Sequence, residues 1–154
     1  ETVPDATFVP PHRDPVRITA SLTVMIAYGS RMQQSGVDPR EVARYWSSRT
    51  EDFLRASVED RHLLPASQVI DVHFEEFMAD MKGTVHRILE QAGLPFTADV
   101  GGALDAFLAD NPKGKHGVVD YRLEDLGVSP EERRRALAFY AERFGVAAAA
   151  PPAL

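Results

Sequence analysis

Arg13 and Ser21 are the residues of this chain whose types and spacing best suit the holding of an anion. Arg13 follows a β-forming run, Ala6-Thr7-Phe8-Val9, and precedes Asp14-Pro15, a helix cap and a first-turn proline; an apolar-rich helical pattern containing Ser21 follows at once. A strand, a tight turn and a helix start place Arg13 at the carboxyl end of a strand. The neighbouring helix N-terminus would add its dipole and unpaired N–H groups. A phosphate suits such a place. Taken alone, the same arginine reads as a solvated charge in a helix-initiating turn, because Asp14 and Pro15 are explained by initiation.

A second anion candidate is the loop Lys113-Gly114-Lys115-His116-Gly117, whose glycines let backbone approach an anion and whose lysines supply point charge. It lacks the Walker A pattern, and by itself it reads as an exposed turn. The segment Val72-His73-Phe74-Glu75-Glu76-Phe77 is the third point of interest. Phe74, leaving a strand, is placed to meet a purine ring if a nucleotide binds there, and otherwise reads as core. The kinase catalytic-loop pattern fails at His12-Arg13-Asp14-Pro15, since Pro15 replaces leucine and Thr19 stands where asparagine is needed. The scattered histidines form no metal-ligand pair, and no serine sits in a nucleophile elbow. No metal is expected, and no catalytic group can be named.

The elements that must position these residues follow from periodicity. A strand over residues 6–9 leads into a long, largely buried helix from Pro15, fading between Gln33 and Gly36. On that helix Met25, Tyr28 and Met32 fall near one face; they read first as packing, with acceptor contact as the other reading. Asp38-Pro39 opens a second helix through Val42, Tyr45, Trp46, Phe53, Leu54 and Val58 toward Pro65. Residues 68–74 alternate as a strand, and Glu75 starts a helix that ends at Gly93-Leu94-Pro95. A helix over residues 98–110 turns Leu104, Phe107 and Leu108 inward, although Gly101-Gly102 weakens its first turn. Ser129-Pro130 opens a last helix bearing Leu137, Tyr140 and Phe144, and residues 147–154 form a flexible tail. Strands separated by helices imply parallel pairing.

The chain has 154 residues, 44% hydrophobic and 26% charged, enough for one domain with a real core. A net charge of −6 and a pI near 5.3 exclude a general nucleic-acid binder, which needs a basic face. With no cysteine, disulfides, thiolate metal sites and cysteine nucleophiles are excluded, which is compatible with a reducing cytoplasm. No apolar run is long enough for a membrane span, so no stable membrane insertion is expected. A start at Glu1 that enters a strand within a few residues, with only one further strand to follow, reads as a chain cut rather than begun.

Together these residues resemble the bacterial branch of the sulfotransferases that depend on 3′-phosphoadenosine 5′-phosphosulfate (PAPS). The resemblance runs from Ala6 to about Phe144 and rests on the strand with His12-Arg13-Asp14-Pro15, on Ser21, on the Val72 to Phe77 segment and on the Lys113 to Gly117 loop. It implies a P-loop-NTPase-like three-layer α/β fold, here a mostly helical portion with about two parallel strands. Residues 1–146 would be the C-terminal portion of a single domain.

In that family the arginine and the serine eight residues later bind the cofactor's 3′-phosphate, which carries onto Arg13 and Ser21. The family's strand-to-helix Y-E-D segment maps onto Phe74-Glu75-Glu76, with ring contact kept and the tyrosine hydroxyl lost. Its late glycine loop maps onto Lys113, Gly114, Lys115, His116 and Gly117, with Pro112 where arginine is common and Lys115 available to restore the charge. The family's 5′-phosphosulfate loop and its usual base precede the region seen here, so this chain alone should bind weakly and catalyse little. The implied partner is a small-molecule, glycan or lipid acceptor bearing a hydroxyl or amine, and a homo-oligomer is compatible with the sequence. The competing readings are a nucleotide-binding remnant without catalysis and a helical interaction module using Tyr45, Trp46 and Phe53.

Overall fold

The structure is a computed structural model and describes residues 5–112, 115 and 122–148. The chain divides into two compact units, one of residues 1–12 and 64–119, the other of residues 13–63 and 120–154.

The first unit is built on two short parallel strands, β1 (Pro11–His12) and β2 (Val72–His73), with Pro11 opposite Val72 and His12 opposite His73. The strand expected over residues 6–9 is displaced, since in that run only Phe8 pairs, in an isolated parallel bridge with Val69. The ladder shows why. Phe8 N–H donates to the Gln68 carbonyl at 2.7 Å, the Phe8 carbonyl accepts from Ile70 N–H at 2.9 Å, and the Pro10 carbonyl accepts from Val72 N–H at 3.1 Å. All share one register, but Pro10 has no N–H to donate in return, so proline splits a single ladder into a bridge and a strand. The strand expected over residues 68–74 is shortened at both ends. Ala66–Gln68 form a 3-10 turn, and Phe74 already belongs to a helix.

That helix, α3, covers Phe74–Ala79, and α4 covers Met81–Gln91. One continuous helix was expected. It breaks at Asp80, with φ −144° and ψ 81°, whose carboxylate accepts Gly83 N–H at 2.8 Å and caps α4. The stop at Gly93 is as expected. Gly93 has φ +71°, its N–H donates to the Glu90 carbonyl at 3.0 Å, and Leu94 N–H reaches back to the Leu89 carbonyl at 2.8 Å. The next helix, α5 (Ala98–Asp110), has the expected bounds and a Thr97 cap. Gly101 is used for close approach, because a Cβ there would stand 3.3 Å from the Phe96 ring. Lys82 on α4 donates to both Asp105 oxygens on α5, at 2.8 and 2.6 Å. Leu104 and Leu108 are half-buried, but Phe107, expected inward, is exposed.

The second unit contains α1 (Pro15–Gln33), α2 (Pro39–Glu59), α6 (Pro130–Ala136) and α7 (Ala138–Phe144). Asp14 Oδ1 accepts Val16 N–H at 2.9 Å and Asp38 Oδ1 accepts Arg40 N–H at 2.9 Å, so both long helices start at the caps that the sequence marks. Each cap is worth about 1 kcal/mol over alanine. The expectation that α1 is largely buried needs correction. It buries only a stripe of Pro15, Val16, Thr19, Ala20, Thr23 and Ala27, and α2, which packs against it, buries Ala43, Ser47 and Thr50. The buried residues of both helices are mostly small or hydroxyl-bearing.

The large apolar residues that spacing assigned to packing lie elsewhere. Met25, Tyr28 and Met32 are 64, 70 and 73% exposed; Tyr45 and Phe53 are exposed as well. Helical periodicity marks a face without saying whether anything covers it. Val16, Ala20 and Leu123 form a buried cluster with Val128 against it. The single last helix expected from Ser129 breaks at Leu137, where φ is −100° and ψ 8°; Leu137 and Tyr140 are buried. Glu51 of α2 accepts from Arg133 at 2.8 Å and from Arg55 at 3.1 Å, tying α2 to α6. The hydrogen bond from Arg133 is the main cause that holds the Glu51 carboxyl below its usual range. Arg55 also stacks over the Phe139 ring of α7 at 4.5 Å. Among the described residues no helix is long and apolar enough to cross a membrane.

Candidate anion site

Parallel strands end at the same edge, and the residues that follow β1 and β2 in the chain are Arg13 and Phe74. Arg13 enters the turn to α1; Phe74 is the first residue of α3. Both are half-buried. The neighbours of Arg13 are not: His12 and Asp14 are each 3% exposed.

The N-terminus of α1 departs from what was expected of it. Pro15 has no N–H, Val16 N–H is taken by the Asp14 carboxylate, and Ile18 N–H donates to the Asp14 carbonyl at 3.1 Å. The first turn thus offers an anion fewer backbone donors than the sequence suggests, since Pro15 has none and the Asp14 cap takes that of Val16. The Arg13 guanidinium, by its chemistry, carries forked donors of the kind that fit the oxygens of an anion in pairs.

Ser21, half-buried, lies on α1 about 9 Å along the axis from Pro15 at the standard rise. Arg17 stands one turn before it on the same face and is exposed. The sequence reading passed over Arg17, although its spacing from Ser21 was the signal that marks it. Past Ser21 the same face continues through the exposed Met25, Tyr28 and Met32.

Of the glycine loop, Lys113, Gly114, His116 and Gly117 lie outside the described residues, and Lys115 lies within them. Lys115 is exposed. Its ammonium donates to the Asp110 carbonyl at 2.6 Å and to Asn111 Oδ1 at 3.4 Å, the placement of a cation at the C-terminus of α5.

His12 had no role in the sequence reading beyond its place in the tetrad. Its Nε2 donates to Asp71 Oδ1 at 2.8 Å, and its ring centroid stands 5.8 Å from that of His73. Asp71 lies far away in sequence, so no local pattern announced the pair. Among the described residues no group of three or more His, Asp or Glu side chains could hold a metal ion. The turn and first helix thus carry a half-buried arginine, an exposed arginine and a half-buried hydroxyl, Arg13, Arg17 and Ser21, within one short segment.

Comparison with known proteins bears on the same segment. The chain matches the model described as "Sulfotransferase family" over residues 1–98, a span that includes Arg13, Ser21 and Phe74. Among solved structures it is similar to the sulfotransferase STF9 from Mycobacterium avium, with a TM-score of 0.76 and 23% sequence identity. The alignment covers 88% of this chain and 35% of that one, so the chain spans about a third of the length of that relative. No curated protein matches. The mostly helical α/β portion with two parallel strands, expected from the resemblance, is the fold observed, and the chain belongs to the sulfotransferase family.

Proposed function

We propose that this chain supplies the 3′-phosphate half of the cofactor site in a cytoplasmic, PAPS-dependent sulfotransferase that transfers a sulfuryl group to a hydroxyl or amine acceptor. The observation that carries this reading is the placement of Arg13. It stands at the carboxyl end of β1, in the turn to an Asp14-capped helix that bears Arg17 and Ser21. Arg13 holds the phosphate through paired guanidinium bonds, and the Ser21 hydroxyl donates to a further phosphate oxygen. PAPS, when bound, provides the sulfuryl group. The family resemblance further assigns contact with the adenine to Phe74 and added charge to Lys115.

The exposed Met25, Tyr28 and Met32 share the face of Ser21 and take the acceptor's apolar part. That favours a phenol or a lipid alcohol over a plain carbohydrate, which would leave this apolar surface wet.

The test is a calorimetric titration of the chain with adenosine 3′,5′-bisphosphate and with 5′-AMP. The bisphosphate is expected to bind more tightly, and Arg13→Ala to abolish that preference. Equal binding of the two nucleotides by the unsubstituted chain, or an unchanged preference in Arg13→Ala, overturns the reading.

A further inference from the structure

His12 is buried beside the proposed phosphate-binding arginine, and the reading above gives it nothing to do. A strand position this buried would be filled at no polar cost by valine or leucine, whereas an imidazole there needs a hydrogen-bond partner. Asp71 is that partner, at 2.8 Å. Because His12 pairs with His73, and side chains alternate along extended backbone, Asp71, just before β2, shares with His73 the face on which His12 lies. The bond therefore joins β1 to β2 through side chains at the place where Pro10 has removed a backbone donor from the ladder.

On the other side of Arg13, Asp14 is equally buried and its carboxylate is bound to Val16 N–H. Arg13 is thus a half-buried residue between two buried neighbours, each held by a side-chain hydrogen bond, one to the residue preceding β2 and one to the first turn of α1. Paired guanidinium bonds to a phosphate tolerate little angular error, and a shift of the backbone at Arg13 is carried to the far end of a long side chain.

We propose that His12, held by Asp71, is a positioning residue that fixes the strand end from which Arg13 reaches the 3′-phosphate. This rests on the 3′-phosphate reading given above. His12 itself touches no ligand. Its effect is confined to the phosphate that Arg13 holds, so losing the bond should weaken recognition of the 3′-phosphate and leave the rest of the nucleotide untouched.

The experiment titrates the 154-residue chain and its variants with adenosine 3′,5′-bisphosphate and with 5′-AMP, with circular dichroism to establish folding. His12→Phe and Asp71→Ala are expected to weaken the bisphosphate about tenfold while 5′-AMP stays within about twofold. Asp71→Asn still accepts the Nε2 proton, and His12→Gln still presents a donor nitrogen. Both are expected to keep the preference for the bisphosphate. Should His12→Phe fail to fold, Asp71→Ala against Asp71→Asn carries the comparison, since the Asp71 side chain is 37% exposed and tolerates change.

Folded His12→Phe and Asp71→Ala with undiminished preference would overturn the proposal, as would an Asp71→Asn as weak as Asp71→Ala. Arg13→Ala separates the two ideas. Preference lost there but kept in His12→Phe and Asp71→Ala defeats the positioning role alone, whereas preference kept in Arg13→Ala defeats the 3′-phosphate reading itself.

Discussion

Arg13 and Arg17 carry the same charge four residues apart, yet they are not expected to matter equally. Arg13 is half-buried between fixed neighbours; Arg17 projects from the first turns of α1 into solvent. An exposed ion pair contributes roughly 0.2–1 kcal/mol and is screened by salt, whereas a hydrogen bond to a charged group is worth about 1.5–3 kcal/mol. Ser21→Ala is therefore expected to weaken adenosine 3′,5′-bisphosphate about tenfold, and Arg17→Ala less than about fivefold, an effect that fades as salt is raised. Calorimetry at low and high ionic strength checks both. An Arg17→Ala loss larger than that of Ser21→Ala would move the phosphate toward the exposed part of α1.

Among the elements, the tie between α2 and α6 has a defined response to pH. Glu51 receives bonds from Arg133 and Arg55, and its carboxyl titrates below its ordinary value. With the folded value depressed, the stabilisation is present at neutral pH and is lost as pH falls through the range below about 4. Glu51→Gln is expected to cost about 1–2 kcal/mol near neutral pH and progressively less toward about pH 3, read by chemical denaturation at the two pH values. A cost that does not change with pH would mean that packing, not charge, holds α2 to α6.

The same scale shows what could be read in advance. Asp14-Pro15, Asp38-Pro39 and Ser129-Pro130 marked helix starts, and Gly93 a stop, because a cap is a contract among residues within one turn. The placement of Arg13 and Ser21 followed from those local signals. The displaced strand did not, since the ladder joins Phe8 and His12 to residues beyond Gln68 and is interrupted by Pro10. The breaks at Asp80 and Leu137 fall inside apolar periodicities that continue across them. Burial was least legible of all. Met25, Tyr28, Met32 and Phe107 keep a helical spacing that looks like packing whether or not anything covers it. The His12–Asp71 bond, between residues distant in the chain, left no local trace.

For the whole molecule, the chain passes from one compact unit to the other at the peptide between His12 and Arg13, so the residue proposed to bind phosphate is covalently joined to both. The fold is shared with a sulfotransferase of which this chain spans about a third, and sulfuryl transfer asks for cations on the leaving oxygens and a base for the acceptor besides a grip on the 3′-phosphate. Phosphorus NMR of adenosine 3′,5′-bisphosphate probes that grip at the phosphate itself, because the ligand's two phosphates give separate resonances. Titration with the chain is predicted to shift and broaden the 3′-phosphate resonance while the 5′-phosphate changes little, and Arg13→Ala to remove the difference. A response confined to the 5′-phosphate, or one that Arg13→Ala leaves intact, would contradict the 3′-phosphate reading.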